Sequence, residues 1–168
     1  MNIEQLWPDH PIRVMMDEHQ IILQNLAALE QSLTKLNEKP DPDLLNTLDS
    51  IASNLLAAEK HHQREEEALF PELEEMGLDG PCSMMCDEHI TLRELKHQLK
   101  ALVVQLISGA AVQDQMGRLI PDLVGRLREH IEREDTILYP ESLEVLDDAA
   151  WERITAQCEQ IGRCSFSR

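Results

Sequence analysis

One stretch of this chain is written twice. HHQREEEALFP at 61–71 returns as HIEREDTILYP at 130–140, and MMDEH at 15–19 returns as MCDEH at 85–89. The offsets of 69 and 70 residues are nearly equal. A doubled chain of this kind folds as two similar halves about an approximate two-fold axis. Polar groups present in both halves converge on that axis.

The repeats lie on helices. Residues 10–36 carry an apolar stripe of Ile12, Met15, Met16, Ile22, Leu26, Leu29 and Leu33 near the 3.6-residue period. NEKPDP at 37–42 breaks it, and Asp43 is placed to cap a second helix bearing Leu44, Leu48, Ile51, Leu55 and Ala58. That helix meets Pro71, and GLDGP at 77–81 is a turn. A third helix is expected from near Cys82 to about Ile107, and SGA at 108–110 links it to a fourth with Met116, Ile120, Leu123 and Leu127 on one face. Pro121 conflicts with that face and is read as the first turn or a kink. A short last helix, about 148–161, follows Asp147. Six glycines in 168 residues leave few turns for a many-stranded sheet. The expectation is therefore an all-α, antiparallel up-down four-helix bundle with a short C-terminal helix. It forms a single domain over 1–168, with the core bundle at about 10–145.

Several polar residues interrupt the apolar faces. His19 sits between Met15 and Ile22, and His89 sits among Met85, Cys86 and Leu92. On the fourth helix the stripe Met116, Ile120, Leu123, Leu127 continues into His130 and Glu134; His61 and Glu65 share the same four-residue spacing. A buried carboxylate is costly unless it is paired or bound to a metal. Two of them, each one turn from a histidine, point to a site whose cations balance the charge. Counting from a loop centred near 39 or 40 puts His19 and His61 level, and a loop near 111 does the same for His89 and His130. Levelling His61 with His89 requires Pro71 to end or divert the second helix. Read without a metal, the same residues would form a fully satisfied polar core network.

Composition narrows the partners. With Asp plus Glu at 32 against 15 Lys plus Arg, the net charge is -17. Such a surface repels nucleic-acid phosphates and anionic membranes. No apolar run approaches the roughly 20 residues of a membrane span. The start MNIEQLWPDHP lacks the regions of a signal peptide, so a soluble cytoplasmic protein is expected. Cys82, Cys86, Cys158 and Cys164 form no CxxC pair and are read as reduced structural thiols.

One His on the first helix, H-x3-E on the second, one His on the third and H-x3-E on the fourth resemble the hemerythrin-like HHE cation-binding family. DEH on the first and third helices and EEEALFP on the second strengthen the likeness, which covers roughly 10–145. The resemblance implies a non-haem di-iron centre, with Glu65 and Glu134 bridging two iron ions and His19, His61, His89 and His130 as terminal ligands. Zinc or manganese also suits this donor set. Oxygen-carrying members place a second His one turn after the third-helix His, where this chain has Arg93; Arg93 is read as a partner for a carboxylate or a solvated charge. They also use an Asp five residues after the last His, and Asp135 is available, but Glu134 repeats the Glu65 spacing. His62 can supply a fifth imidazole, although its repeat partner is Ile131. His10 is read as a helix-start residue and His97 as a surface residue. Cys86 is read mainly as packing near the site, and Tyr139, the partner of Phe70, as packing.

With one His fewer than the carriers, the likeness implies binding of O2 or NO in sensing or stress response. That describes a metal and gas binder more than an enzyme, with an unknown protein partner. Repair of iron centres is an alternative, weakened because no N-terminal cysteine domain is present. A ferritin-like di-iron oxidase or peroxidase using Glu59-x-x-His62 and Glu94-x-x-His97 is a second, and a metal-free acidic interaction bundle a third.

Overall fold

The computed structural model describes residues 6–36 and 40–167. Helix α1, Pro11–Lys35, is opened by His10, whose ring nitrogen accepts from the Ile12 N–H at 3.2 Å. This agrees with the helix-start reading of His10, and His97 is exposed as expected. Helix α2, Pro42–Ala57, is capped by Asp41 rather than Asp43: Asp41 accepts from the Leu44 N–H at 2.7 Å, and Pro42 takes the first helical position, where it lacks nothing.

Helix α3, Glu59–Arg64, a π turn at Glu65–Leu69 and helix α4, Phe70–Glu75, continue the course of α2. Ala58, Glu65 and Phe70 at the junctions all keep right-handed helical dihedrals. Pro71 therefore does not end or divert this rod, contrary to the expectation. In the π turn the Phe70 N–H bonds back to the Glu65 carbonyl. The wider turn makes room for a pyrrolidine ring that would press on the carbonyl four residues back in a regular helix. The rod reverses instead at Gly77, whose φ of 88° suits a residue without Cβ.

Helix α5, Asp79–Ile107, starts three residues before the expected Cys82, with Pro81 in its first turn. Helix α6, Gln113–Arg133, runs through Pro121, which is neither its first turn nor its end. Pro121 and Gly117, the residue whose carbonyl loses its donor, are both exposed, so water can satisfy that group. A second π turn, Glu134–Leu138, and helix α7, Tyr139–Val145, prolong α6 as the first π turn and α4 prolong α3. Helix α8, Asp148–Ile161, is capped by Asp147 as expected.

The four rods close into a ring in which α1 packs on α2 and α6, and α5 packs on α2 and α6. This is the expected all-helical bundle. Helix α8 lies mainly over α1, α3 and the first π turn, and its Arg153 bonds Glu72 of α4. The core is split. One apolar cluster holds Ile22, Leu55, Leu92 and Leu127, and the other holds Met15, Leu69, Met85 and Leu138. Each polar position picked out in the sequence falls between them. No helix among the described residues is long and apolar enough to cross a membrane, and the four cysteines are unpaired.

Candidate metal centre

Between the two clusters the bundle brings together all six expected residues. His19, His61, His89 and His130 are 0–1% exposed, and Glu65 and Glu134 are fully buried. The Nε2 atoms meet in pairs, His19 with His61 and His89 with His130, each at 3.0 Å. The carboxylates sit between the pairs. Glu134 approaches His19 at 3.2 Å, His130 at 2.8 Å and His89 at 3.7 Å; Glu65 approaches His61 at 3.6 Å and His89 at 3.5 Å. Both oxygens of Glu134 and Oε2 of Glu65 lack a hydrogen-bond partner. Buried carboxylate oxygens are seldom left so, and bare oxygens facing imidazole nitrogens are what a cation would complete.

The observed turn explains the levels better than a break at Pro71. Measured from Gly77, His89 lies twelve residues ahead and Glu65 twelve behind, so His89 faces Glu65 rather than His61. Across the two-fold axis, His19 faces Glu134 in the same way.

A second layer went unassigned in the sequence. Each ring histidine rests its Nδ1 on a carboxylate from a neighbouring rod: His19 on Asp135 at 2.7 Å, His61 on Glu18 at 3.0 Å, His89 on Glu66 at 2.7 Å and His130 on Glu88 at 2.7 Å. Such contacts fix the tautomer, leave the Nε2 lone pair free for an ion and raise its basicity. The signal was present: Glu18 and Glu88 are the E of both DEH strings, and Glu66 and Asp135 directly follow the central glutamates. Asp135 thus serves from outside the ring, while Glu134 presents its oxygens to the centre. Arg64 pairs with Glu18 and Arg133 with Glu88, and these arginines are themselves repeat partners. Arg93 bonds Glu66 at 2.9 Å and Glu59 at 2.7 Å, matching its reading as a carboxylate partner.

Burial and neighbouring charges shift the ring groups in opposite directions. Burial alone would lower His19, but Asp135 and Glu134 beside it raise it to about 10. Burial and the His19 charge push His61 down to about 4. Burial and the Glu134 charge raise Glu65 well above the carboxylate range. Burial also works against the Glu134 anion, yet His130, His19 and His89 hold its carboxyl well below that range.

Two residues break the internal symmetry. Tyr139 is not packing alone: its hydroxyl donates to Glu65 Oε1 at 2.7 Å, whereas Phe70 brings only a ring. Burial and the nearby Glu65 and Glu134 charges hold Tyr139 well above its ordinary pKa, as the neutral phenol. His62 stacks on His89 at 4.0 Å and is 2% exposed, with its Nδ1 unpartnered.

Among the described residues, three groupings have donor atoms close enough to hold an ion: Glu65 with His89, His130 and Glu134; His19 with His61 and Glu134; and His62 with His89 and His130. The ferritin-like set does not assemble. Glu59, Glu94 and His97 are all exposed, and Glu59 is occupied by Arg93. Cys86 is half-buried against the second apolar cluster, in keeping with packing.

No curated protein matches this chain. The model of the hemerythrin HHE cation-binding domain matches residues 10–142, which include every residue of the ring and its outer carboxylates. Buried imidazoles paired around bare carboxylate oxygens on four antiparallel rods agree with that match, and the chain belongs to the hemerythrin HHE cation-binding domain family.

Proposed function

We propose that the chain is a non-haem two-iron protein that binds O2 or NO in a sensing or stress-response role. The observation that carries this reading is the ring of four Nε2 atoms, drawn pairwise to 3.0 Å around two buried carboxylates with bare oxygens. In this reading His19 and His61 would hold one ion, His89 and His130 would hold the other, and Glu65 and Glu134 would offer carboxylate oxygens to the pair. Imidazole with carboxylate admits zinc and manganese as well, and the preference for iron rests on the family. A reduced iron pair would supply the electron density that a diatomic ligand needs to bind reversibly. The chain's own contribution is to orient the imidazoles through their Nδ1 partners and to exclude water with apolar clusters above and below.

Metal analysis of protein purified without chelator tests the reading first: about two irons per chain are expected. A content below about one, with no uptake of anaerobic Fe(II), would favour a metal-free acidic bundle. Optical spectra test the rest. The reduced protein is expected to change its spectrum on addition of O2 or NO, and an unchanged spectrum with both gases removes the gas-binding role.

A further inference from the structure

The two positions of the ring are unequally furnished. Glu65, His89, His130 and Glu134 gather at one, with His62 close to its two histidines. The other groups His19, His61 and Glu134, with a Glu65 oxygen 3.6 Å from His61. Transition ions bound by imidazole and carboxylate take at least roughly four donors. The poorer position is the one beside Tyr139. Its hydroxyl oxygen lies 3.4 Å from His61 Nε2 and 2.7 Å from Glu65 Oε1, and its ring stacks on His19 at 5.6 Å with 10° between planes. The side chain is fully buried, so its oxygen has donor atoms of the ring as neighbours and no water surface. Packing alone does not require that oxygen. In the other half Phe70 stacks on His89 at 6.0 Å and does the packing without it.

We infer that Tyr139 is a further ligand, giving its phenol oxygen to the ion held by His19 and His61. The inference rests on the two-metal reading above. Iron(III) at this position would take the oxygen as phenolate: the O–H bond would be exchanged for an oxygen–metal bond, the proton would leave to solvent, and the electron lost in forming iron(III) would go to the added oxidant. The two positions then differ in kind, one rich in imidazole and the other carrying phenolate.

Tyr139 is the only tyrosine of the chain, which makes the test direct. Full-length protein is loaded with Fe(II) without oxygen and then oxidised with ferricyanide, with iron content measured on the same samples. The expected result is an intense visible phenolate-to-iron(III) charge-transfer band, with tyrosine ring modes enhanced in Raman spectra excited in that band. Tyr139→Phe is expected to lose both, read against the iron that each sample carries. A wild-type protein that carries its full iron and shows neither signal overturns the inference and leaves the two-metal reading standing. Survival of the band in Tyr139→Phe also overturns it. Failure to take up iron at all overturns both. The wild-type Raman spectrum decides the matter even where the variant folds poorly.

Discussion

Glu18 and Glu88 fill the same place in the two halves, each just before a ring histidine and each holding the Nδ1 of a histidine on the next rod. Their surroundings differ. Glu18 is fully buried beneath α8 and the segment after it, with the Cys164 N–H and Arg64 as further donors. Glu88 and its partner Arg133 are 26% and 34% exposed. Replacing Glu18 by Gln strands a buried guanidinium, which costs about 3–5 kcal/mol. Glu88→Gln leaves Arg133 to water at a cost below about 1 kcal/mol. Urea unfolding of the two metal-free variants measures the difference, and equal losses would show that Arg64 does not depend on Glu18. Acid acts on the same pair. Burial opposes the Glu18 anion, but His61 and Arg64 hold its carboxyl at about 2 against an ordinary 4.5. Its contribution is thus complete above pH 4.5 and lost as pH falls through about 2. At this scale the ring itself was readable, because a histidine or glutamate interrupting an apolar stripe is visible in one dimension. The outer carboxylates were not, because each serves a histidine on another rod, and spacing within one helix does not say which rod it faces.

The rods explain which breaks in the sequence matter. A proline removes one donor and crowds one carbonyl, and both effects are local. Pro71 and Pro140 are absorbed by π turns that begin at the two central glutamates, and Pro121 by an exposed stretch of α6. None ends its rod. The helical extents could be read closely from caps such as Asp147, whereas the continuation through proline depends on hydrogen bonds reaching one residue further than the regular ladder, and no residue type announces those. Helix α8 offers the sharpest test among the elements. Its cap is one bond, from the Ala150 N–H to Asp147 at 2.8 Å, and its main contacts are with α1, α3 and the first π turn. Asp147→Ala is expected to cost about 1 kcal/mol. Hydrogen exchange should quicken along 148–161 and leave the protection of α5 and α6 unchanged. Uniform loss of protection through all the rods would mean that α8 folds as one unit with the bundle.

For the molecule as a whole, charge and metal are coupled. A chain of net charge -17 gathers two buried carboxylates and four buried imidazoles at one centre. Burial opposes the His19 cation, yet Asp135 and Glu134 raise it to about 10, and burial and the Glu134 charge raise Glu65 above the carboxylate range. These are donors that an ion must take in deprotonated form, so uptake expels protons near neutrality. The sign follows from His19. Its raised pKa stabilises the metal-free fold fully below pH 6.5, and that stabilisation fades as pH climbs through about 10. Rising pH thus weakens the metal-free form and removes the competitor for Nε2 in the same step. Apparent affinity for a divalent probe such as Co(II) is expected to rise between about pH 6 and 8, with the midpoint of thermal unfolding diverging between loaded and metal-free protein. Calorimetric titration in buffers of different ionisation enthalpy should register the released protons directly. An uptake that is independent of pH and buffer would mean that the ring is already deprotonated, and would locate the source of its cohesion in the two apolar clusters rather than in shared protons.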